Sequence, residues 1–260
     1  MLLAIDIGNS NLSVGAFADG ALVFVSRLAT DRHRTGDQYA LELKSICEMH
    51  RTPPAGFDGV IIGSVVPELT PALIAAAKVL TGCRPMVLGP GLKTGLNILT
   101  DNPAQVGADF IAAAVACAAI YPLPCLAADL GTATKISMID SKGTFCGCAI
   151  APGVAISLEA LASRTSQLPN ISLQAPAKAA GKNTVDAMRS GIVFGTAAMI
   201  DGLCERMEAE LGEGTCFTVA TGGLAADIVP NCKREILVNS ELVLEGLRLI
   251  YEKNKKPPTP

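Results

Sequence analysis

The chain repeats one phrase in each of its halves, and this duplication limits its fold more than any other feature. Near the start, the apolar run Leu2-Leu3-Ala4-Ile5 leads into Asp6-Ile7-Gly8-Asn9-Ser10-Asn11 and then a second apolar run, Leu12–Phe17. Near the midpoint, Cys125-Leu126-Ala127-Ala128 leads into Asp129-Leu130-Gly131-Thr132-Ala133-Thr134 and then a run ending at Ile139. Each copy reads as a strand, a polar tight turn and a second strand, with a carboxylate at the end of the first strand. Two such carboxylates at the heads of duplicated halves suggest a cleft for a phosphate chain and its cation.

Composition supports a duplicated α/β fold. Half of the 260 residues are hydrophobic but only 4% are aromatic, and there is no Trp. Ala, Val, Ile and Leu must therefore build the core, as in helix-covered parallel sheets. A net charge of −3 gives no general attraction to nucleic acid or anionic membrane. The nine cysteines include no CxxC, and the only histidines, His33 and His50, lie elsewhere in the sequence, so buried thiols in a reducing cytosol fit better than a zinc site. Asp6 interrupts any secretory apolar region, and the run Ile111–Tyr121 is about half a bilayer span. The expectation is a cytoplasmic protein with no membrane or nucleic-acid partner.

The pattern predicts strands at 2–5, 12–17 and 21–27, a helix over 36–49, a strand at 59–64, a helix over 67–80 and a strand at 85–88. The second half repeats this with strands at 125–130, 133–139 and 144–150, helices at 154–164 and 185–211, a strand at 216–221, a short helix at 224–228 and a segment at 242–251 that closes the fold. A charged, Pro-rich segment over 252–260 should fray. A three-strand meander followed by β-α-β-α, stated twice, is the layout of two ribonuclease-H-like domains in the actin-like ATPase fold. The expected domains are 1–122 and 123–260, with a nucleotide cleft between them.

Each motif admits a plain reading beside the chemical one. In the first turn, Gly8, Asn9, Ser10 and Asn11 can cradle phosphate oxygens while Asp6 faces a cation or water, or Asp6 and Asn9 can simply satisfy turn amides. In the second, Thr132 and Thr134 offer hydroxyls to phosphate and Asp129 a hard ligand, or Asp129 is satisfied inside the meander. Thr221-Gly222-Gly223 follows a buried strand and permits close backbone approach by a nucleoside. Gly89-Pro90-Gly91-Leu92-Lys93-Thr94-Gly95 reads as a hinge-like loop before Val106-Gly107-Ala108-Asp109-Phe110. Asp109 can take a proton from a substrate hydroxyl, or can be an acid stabilised at a helix N-terminus.

Taken in order, Asp6-x-Gly-Asn-Ser-Asn, the loop at 89–96, Gly107-Ala108-Asp109, Asp129-x-Gly-Thr-Ala-Thr, Pro152-Gly153, Leu168-Pro169, Gly181-Lys182-Asn183-Thr184 and Thr221-Gly222-Gly223-Leu224 resemble the type III pantothenate kinase family over nearly the whole chain. The resemblance implies ATP-dependent phosphorylation of pantothenate, the first step toward coenzyme A. It further implies that Asp6, Ile7, Gly8, Asn9, Ser10, Asn11, Leu12 and Ser13 hold ATP, with Thr132 as a further nucleotide contact. Asp109 would be the proton acceptor, and Gly107, Ala108, Asp109 and Phe110 would line the pantothenate pocket. Asp129 would bind a monovalent cation, potassium or ammonium, beside Mg-ATP. Thr184 would reach the substrate from the partner subunit of a homodimer, with Gly191, Gly195, Ala197 and Ala198 allowing close helix approach.

Four departures from that resemblance stand out. The family usually has Arg where this chain has Phe110, Tyr where it has Thr100, Thr where it has Lys135 and Gly where it has Cys148. An Arg can pair with a carboxylate or a developing phosphoryl charge and Phe cannot. The competing implications are a catalytically impaired paralogue that acts as a regulatory or binding protein, or a kinase for another small alcohol.

Overall fold

The computed structural model describes residues 1–165, 168–169 and 171–255. The tail at 256–260, expected to fray, lies outside the described residues. In chain order the elements are β1 (Leu2–Ile7), β2 (Asn11–Ala18), β3 (Ala21–Ala29), α1 (Gly36–Met49), β4 (Gly59–Ser64), α2 (Thr70–Thr81), β5 (Met86–Val87), β6 (Asn97–Ile98) and α3 (Ala108–Ile120). There follow β7 (Cys125–Leu130), β8 (Ala133–Ile139), β9 (Thr144–Pro152), α4 (Val154–Arg164), α5 (Thr184–Arg189), α6 (Gly195–Leu211), β10 (Phe217–Thr221), α7 (Ala225–Ile228), β11 (Leu237–Val238) and α8 (Leu242–Asn254).

Contacts divide the chain into two units. The first holds residues 1–95, 102–116 and 242–260, and the second holds 96–101 and 117–241. The sequence suggests a single cut near 122; instead, α8 returns to the first unit and the segment bearing β6 joins the second.

In the first unit a five-stranded sheet runs β3-β2-β1-β4-β5. β1, β2 and β3 pair antiparallel, whereas β4 lies parallel to β1 and β5 parallel to β4. One sheet face places Leu3, Ile5, Ile7, Leu12 and Val14 in a core with Tyr39, Leu43, Ile46 and Leu73. On the other side, α8 packs on β1, β2 and β4, and Gly246 lies against the Ala112 backbone of α3. Burial on both faces explains why β1 reads as a continuous apolar run rather than an alternating one.

Local chemistry sets the helix ends. Thr35 and Gln38 form a capping box, with Thr35 N–H donating to Gln38 Oε1 at 2.8 Å, so α1 starts at Gly36 as the pattern predicts. α2 begins at Thr70 rather than at Pro67, because Pro71 occupies the first helical turn and Pro67–Leu69 form a separate turn. The helix stops at Gly82, whose left-handed backbone turns its N–H back to Lys78 O.

The second unit repeats the plan. Its six-stranded sheet runs β11-β10-β7-β8-β9-β6. β7, β8 and β9 form the antiparallel meander, and β10 and β11 extend it in parallel. The order β9-β8-β7-β10-β11 thus matches β3-β2-β1-β4-β5, with β6 added on the outer edge of β9. β1 and β7 share length and burial sequence, and Asp6 and Asp129 are each the fifth of six strand residues. The predicted helix at 185–211 is a helical run interrupted by a π-helical turn at Ser190–Phe194. Ala197 faces the core, so it leaves the small-residue surface; Gly191, Gly195 and Ala198 are exposed.

Candidate functional site

The first turn is fastened by its own backbone and by β3. Gly8 N–H donates to Asn11 O at 3.0 Å, and a β-carbon at Gly8 would lie 2.9 Å from that same oxygen. Thr30 closes the turn from the side, its hydroxyl donating to Gly8 O at 2.7 Å and its N–H to Ser10 O at 3.0 Å. Asn9, Ser10 and Asn11 are exposed, Asp6, Gly8 and Ser13 are half-buried, and Ile7 and Leu12 are fully buried. The polar tip is thus available to a ligand while Ile7 and Leu12 contribute backbone and core packing. Arg32 reaches this tip, its guanidinium donating to Asn9 Oδ1 at 3.2 Å. Neither Thr30 nor Arg32 carries a sequence signal; only the β2–β3 pairing brings them here.

The first unit also holds Gly107, Ala108, Asp109 and Phe110, where α3 begins. Asp109 lies in its first turn, half-buried, and its Oδ1 accepts from Phe110 N–H at 2.8 Å. A β-carbon at Gly107 would stand 2.6 Å from that Oδ1 and 3.6 Å from Val65 Cγ1. Val65 in turn donates its N–H to Ile7 O at 3.0 Å. One residue therefore links the end of β1 to the clearance around the Asp109 carboxylate. The 89–96 loop, read from sequence as a hinge, is tied to α8: Lys93 N–H donates to Asn254 Oδ1 at 2.9 Å, and Asn254 Nδ2 donates to Lys93 O at 2.8 Å.

In the second unit the β7–β8 hairpin holds the other turn. Thr132 is exposed at its tip, but Thr134 is buried and its hydroxyl has no hydrogen-bond partner among the described residues. Thr134 sits on the same sheet face as Ile136. Asp129 pairs directly opposite Lys135, and Lys135 Nζ lies 2.7 Å from Asp129 Oδ2. Gly222, at φ +95°, follows β10; a β-carbon there would stand 2.7 Å from Asp129 Oδ1 and 2.5 Å from the Leu130 carbonyl carbon. A β-carbon at Gly153 would clash with the carbonyl oxygens of Gly131 and Thr132, so glycine lets the N-terminus of α4 sit against this turn. A turn with exposed amides beside a helix N-terminus suits an anion.

The remaining predicted residues belong to other elements of the second unit. Thr184 is exposed at the first position of α5, after Asn183, whose side chain caps the helix by accepting from Asp186 N–H at 2.9 Å. Thr100 follows β6, and its hydroxyl is buried with no hydrogen-bond partner among the described residues. Among the described residues, no three or more His, Cys, Asp or Glu side chains group to hold a metal, and no helix is long and apolar enough to cross a membrane.

Comparison with known proteins gives this geometry a context. The family model for type III pantothenate kinase matches residues 2–206. A type III pantothenate kinase of Halalkalibacterium halodurans is 43% identical over 254 residues, covering 98% of this chain and 100% of that one. Among solved structures, a conserved Campylobacter jejuni protein named as a Baf family transcriptional activator aligns at TM-score 0.62 and 19% identity, over 97% of this chain and 98% of that one. Component A of the (R)-2-hydroxyglutaryl-CoA dehydratase of Acidaminococcus fermentans aligns at TM-score 0.58 and 15% identity, over 98% and 99%. At such identities the two structures speak to a shared fold alone. The sequence match decides the family: the chain belongs to the type III pantothenate kinases.

Proposed function

We propose that this chain is an ATP-dependent pantothenate kinase of the cytoplasm, with Asp109 as its general base. Full-length likeness to type III pantothenate kinases is the observation that carries the reading. The pantothenate hydroxyl oxygen bonds to the γ-phosphorus while the bond from that phosphorus to the β–γ bridging oxygen breaks. ADP leaves with the bridging oxygen, and the hydroxyl proton passes to the Asp109 carboxylate. The Phe110 N–H bond to Oδ1 orients that carboxylate, and Gly107 leaves the approach to it open.

Residues Asp6–Ser13 hold the phosphates of Mg-ATP through the turn amides and the Asn9, Ser10 and Asn11 side chains, and Thr132 adds a contact from the second turn. Mg arrives as part of the nucleotide substrate and offsets charge on the phosphates. Asp129 anchors a monovalent positive charge beside them. Gly107, Ala108, Asp109 and Phe110 line the pantothenate side, and in a homodimer Thr184 of one protomer completes the pocket of the other. A coupled assay for ADP release tests this reading: ADP should form only when pantothenate and ATP are both present, and equal release without pantothenate would contradict it.

A further inference from the structure

The expected monovalent cation at Asp129 does not fit the residues found there. Asp129 and Lys135 are directly opposed across the β7–β8 hairpin, with Nζ 2.7 Å from Oδ2. Their side chains are only 22% and 15% exposed. The other oxygen, Oδ1, faces two glycines: β-carbons at Gly222 and Gly131 would lie 2.7 and 3.2 Å from it. A potassium ion taking Oδ2 must push the ammonium aside, leaving two cations and one carboxylate in a largely enclosed space.

We propose that the Lys135 ammonium is itself the monovalent cation of this site, so that the protein binds ATP and turns over without added potassium or ammonium. The inference rests on the reading of Asp129 as the anchor of a positive charge beside the phosphates. Chemistry favours the substitution: a lysine head group is an alkylated ammonium ion, with the same charge as the ions it replaces. Its flexible stem lets it settle on a carboxylate as a point charge. Direct cross-strand pairing fixes where that charge sits, and the tether makes it permanent.

The test is ATP binding by calorimetry on the full-length protein, in potassium chloride and in tetramethylammonium chloride at equal ionic strength, with turnover on pantothenate measured beside it. Wild type should show less than about a twofold difference in ATP affinity between the salts, since their general screening is the same. Lys135→Ala should lose ATP affinity by about 10- to 100-fold in tetramethylammonium, and potassium, ammonium or methylammonium should recover most of it. Lys135→Met, which keeps the stem but not the charge, should lose affinity without recovery. A tenfold or greater potassium dependence of wild-type ATP affinity would overturn the inference on the order of magnitude that separates a required ion from screening. That arm decides even where a variant fails to fold. Absence of pantothenate turnover in both salts would defeat the kinase reading instead, and the ATP arm would still decide the cation.

Discussion

Gly107 and Asp109 are fitted to each other: any β-carbon at position 107 would begin 2.6 Å from Asp109 Oδ1, inside contact distance. The glycine keeps the carboxylate where Phe110 N–H can hold it. Gly107→Ala should therefore lower kcat for pantothenate by about 100-fold through misplacement of the base. Thermal unfolding and ATP affinity should stay close to wild type, because the glycine is only partly buried and lies at the start of the helix. Steady-state kinetics beside a melting curve separate the two effects.

Phe110 donates its backbone N–H to Asp109 and presents an apolar ring where the family usually has Arg. Phe110→Arg adds a cation able to pair with the substrate carboxylate, or with charge developing on phosphorus. The expected gain is about 30- to 1000-fold in kcat/KM for pantothenate, corresponding to about 2–4 kcal/mol. An unchanged and already high kcat/KM would mean that the Arg is dispensable here.

Gly222 carries a different constraint. Its φ of +95° disfavours any L side chain, and a β-carbon would press on Leu130 and on Asp129 Oδ1. Gly222→Ala should destabilise the protein by about 3 kcal/mol or more, combining backbone strain with a steric clash. Urea unfolding measures the loss directly, and a value under about 1 kcal/mol would mean that β10 and β7 can shift apart at little cost.

The thiols provide a check on the second core. Burial raises the Cys204 thiol to about 12 and those of Cys216 and Cys232 to about 11. At pH 8 each is then a thiolate in about one molecule per thousand or fewer, and attack on a disulfide reagent needs the thiolate. Native protein should label first at the exposed Cys148, and Cys204, Cys216 and Cys232 should label only on unfolding. Raising the pH toward 11 should speed their labelling, because it approaches the raised folded values. Mass spectrometry of labelled peptides gives the order.

Much of this architecture is legible in the sequence, for physical reasons that differ by element. The repeated Asp-x-Gly phrase is readable because each copy is an apolar run broken by a carboxylate and a glycine, and the structure gives Asp6 and Asp129 matching strand positions. The helix at 36–49 is readable because Tyr39, Leu43, Ile46 and Cys47 recur at helical spacing and all face the core. β6 is not readable: two residues, Asn97 and Ile98, carry no period, and their pairing with Thr144 and Phe145 is a tertiary event. The return of α8 to the first unit is equally silent in local sequence. Thr134 shows what the motif alone leaves silent: its hydroxyl is buried with no hydrogen-bond partner among the described residues. Lys135 marks the reverse case, a residue whose partner follows from hairpin register alone once Leu130 is set opposite Thr134.

The central claim is that Asp109 takes the proton of the pantothenate hydroxyl, and Asp109→Asn tests it most directly. The variant removes the base and keeps the side-chain shape. Pantothenate-dependent ADP release should fall by at least about 100-fold, with ATP affinity by calorimetry unchanged. Wild-type turnover in the Asn variant would contradict the account.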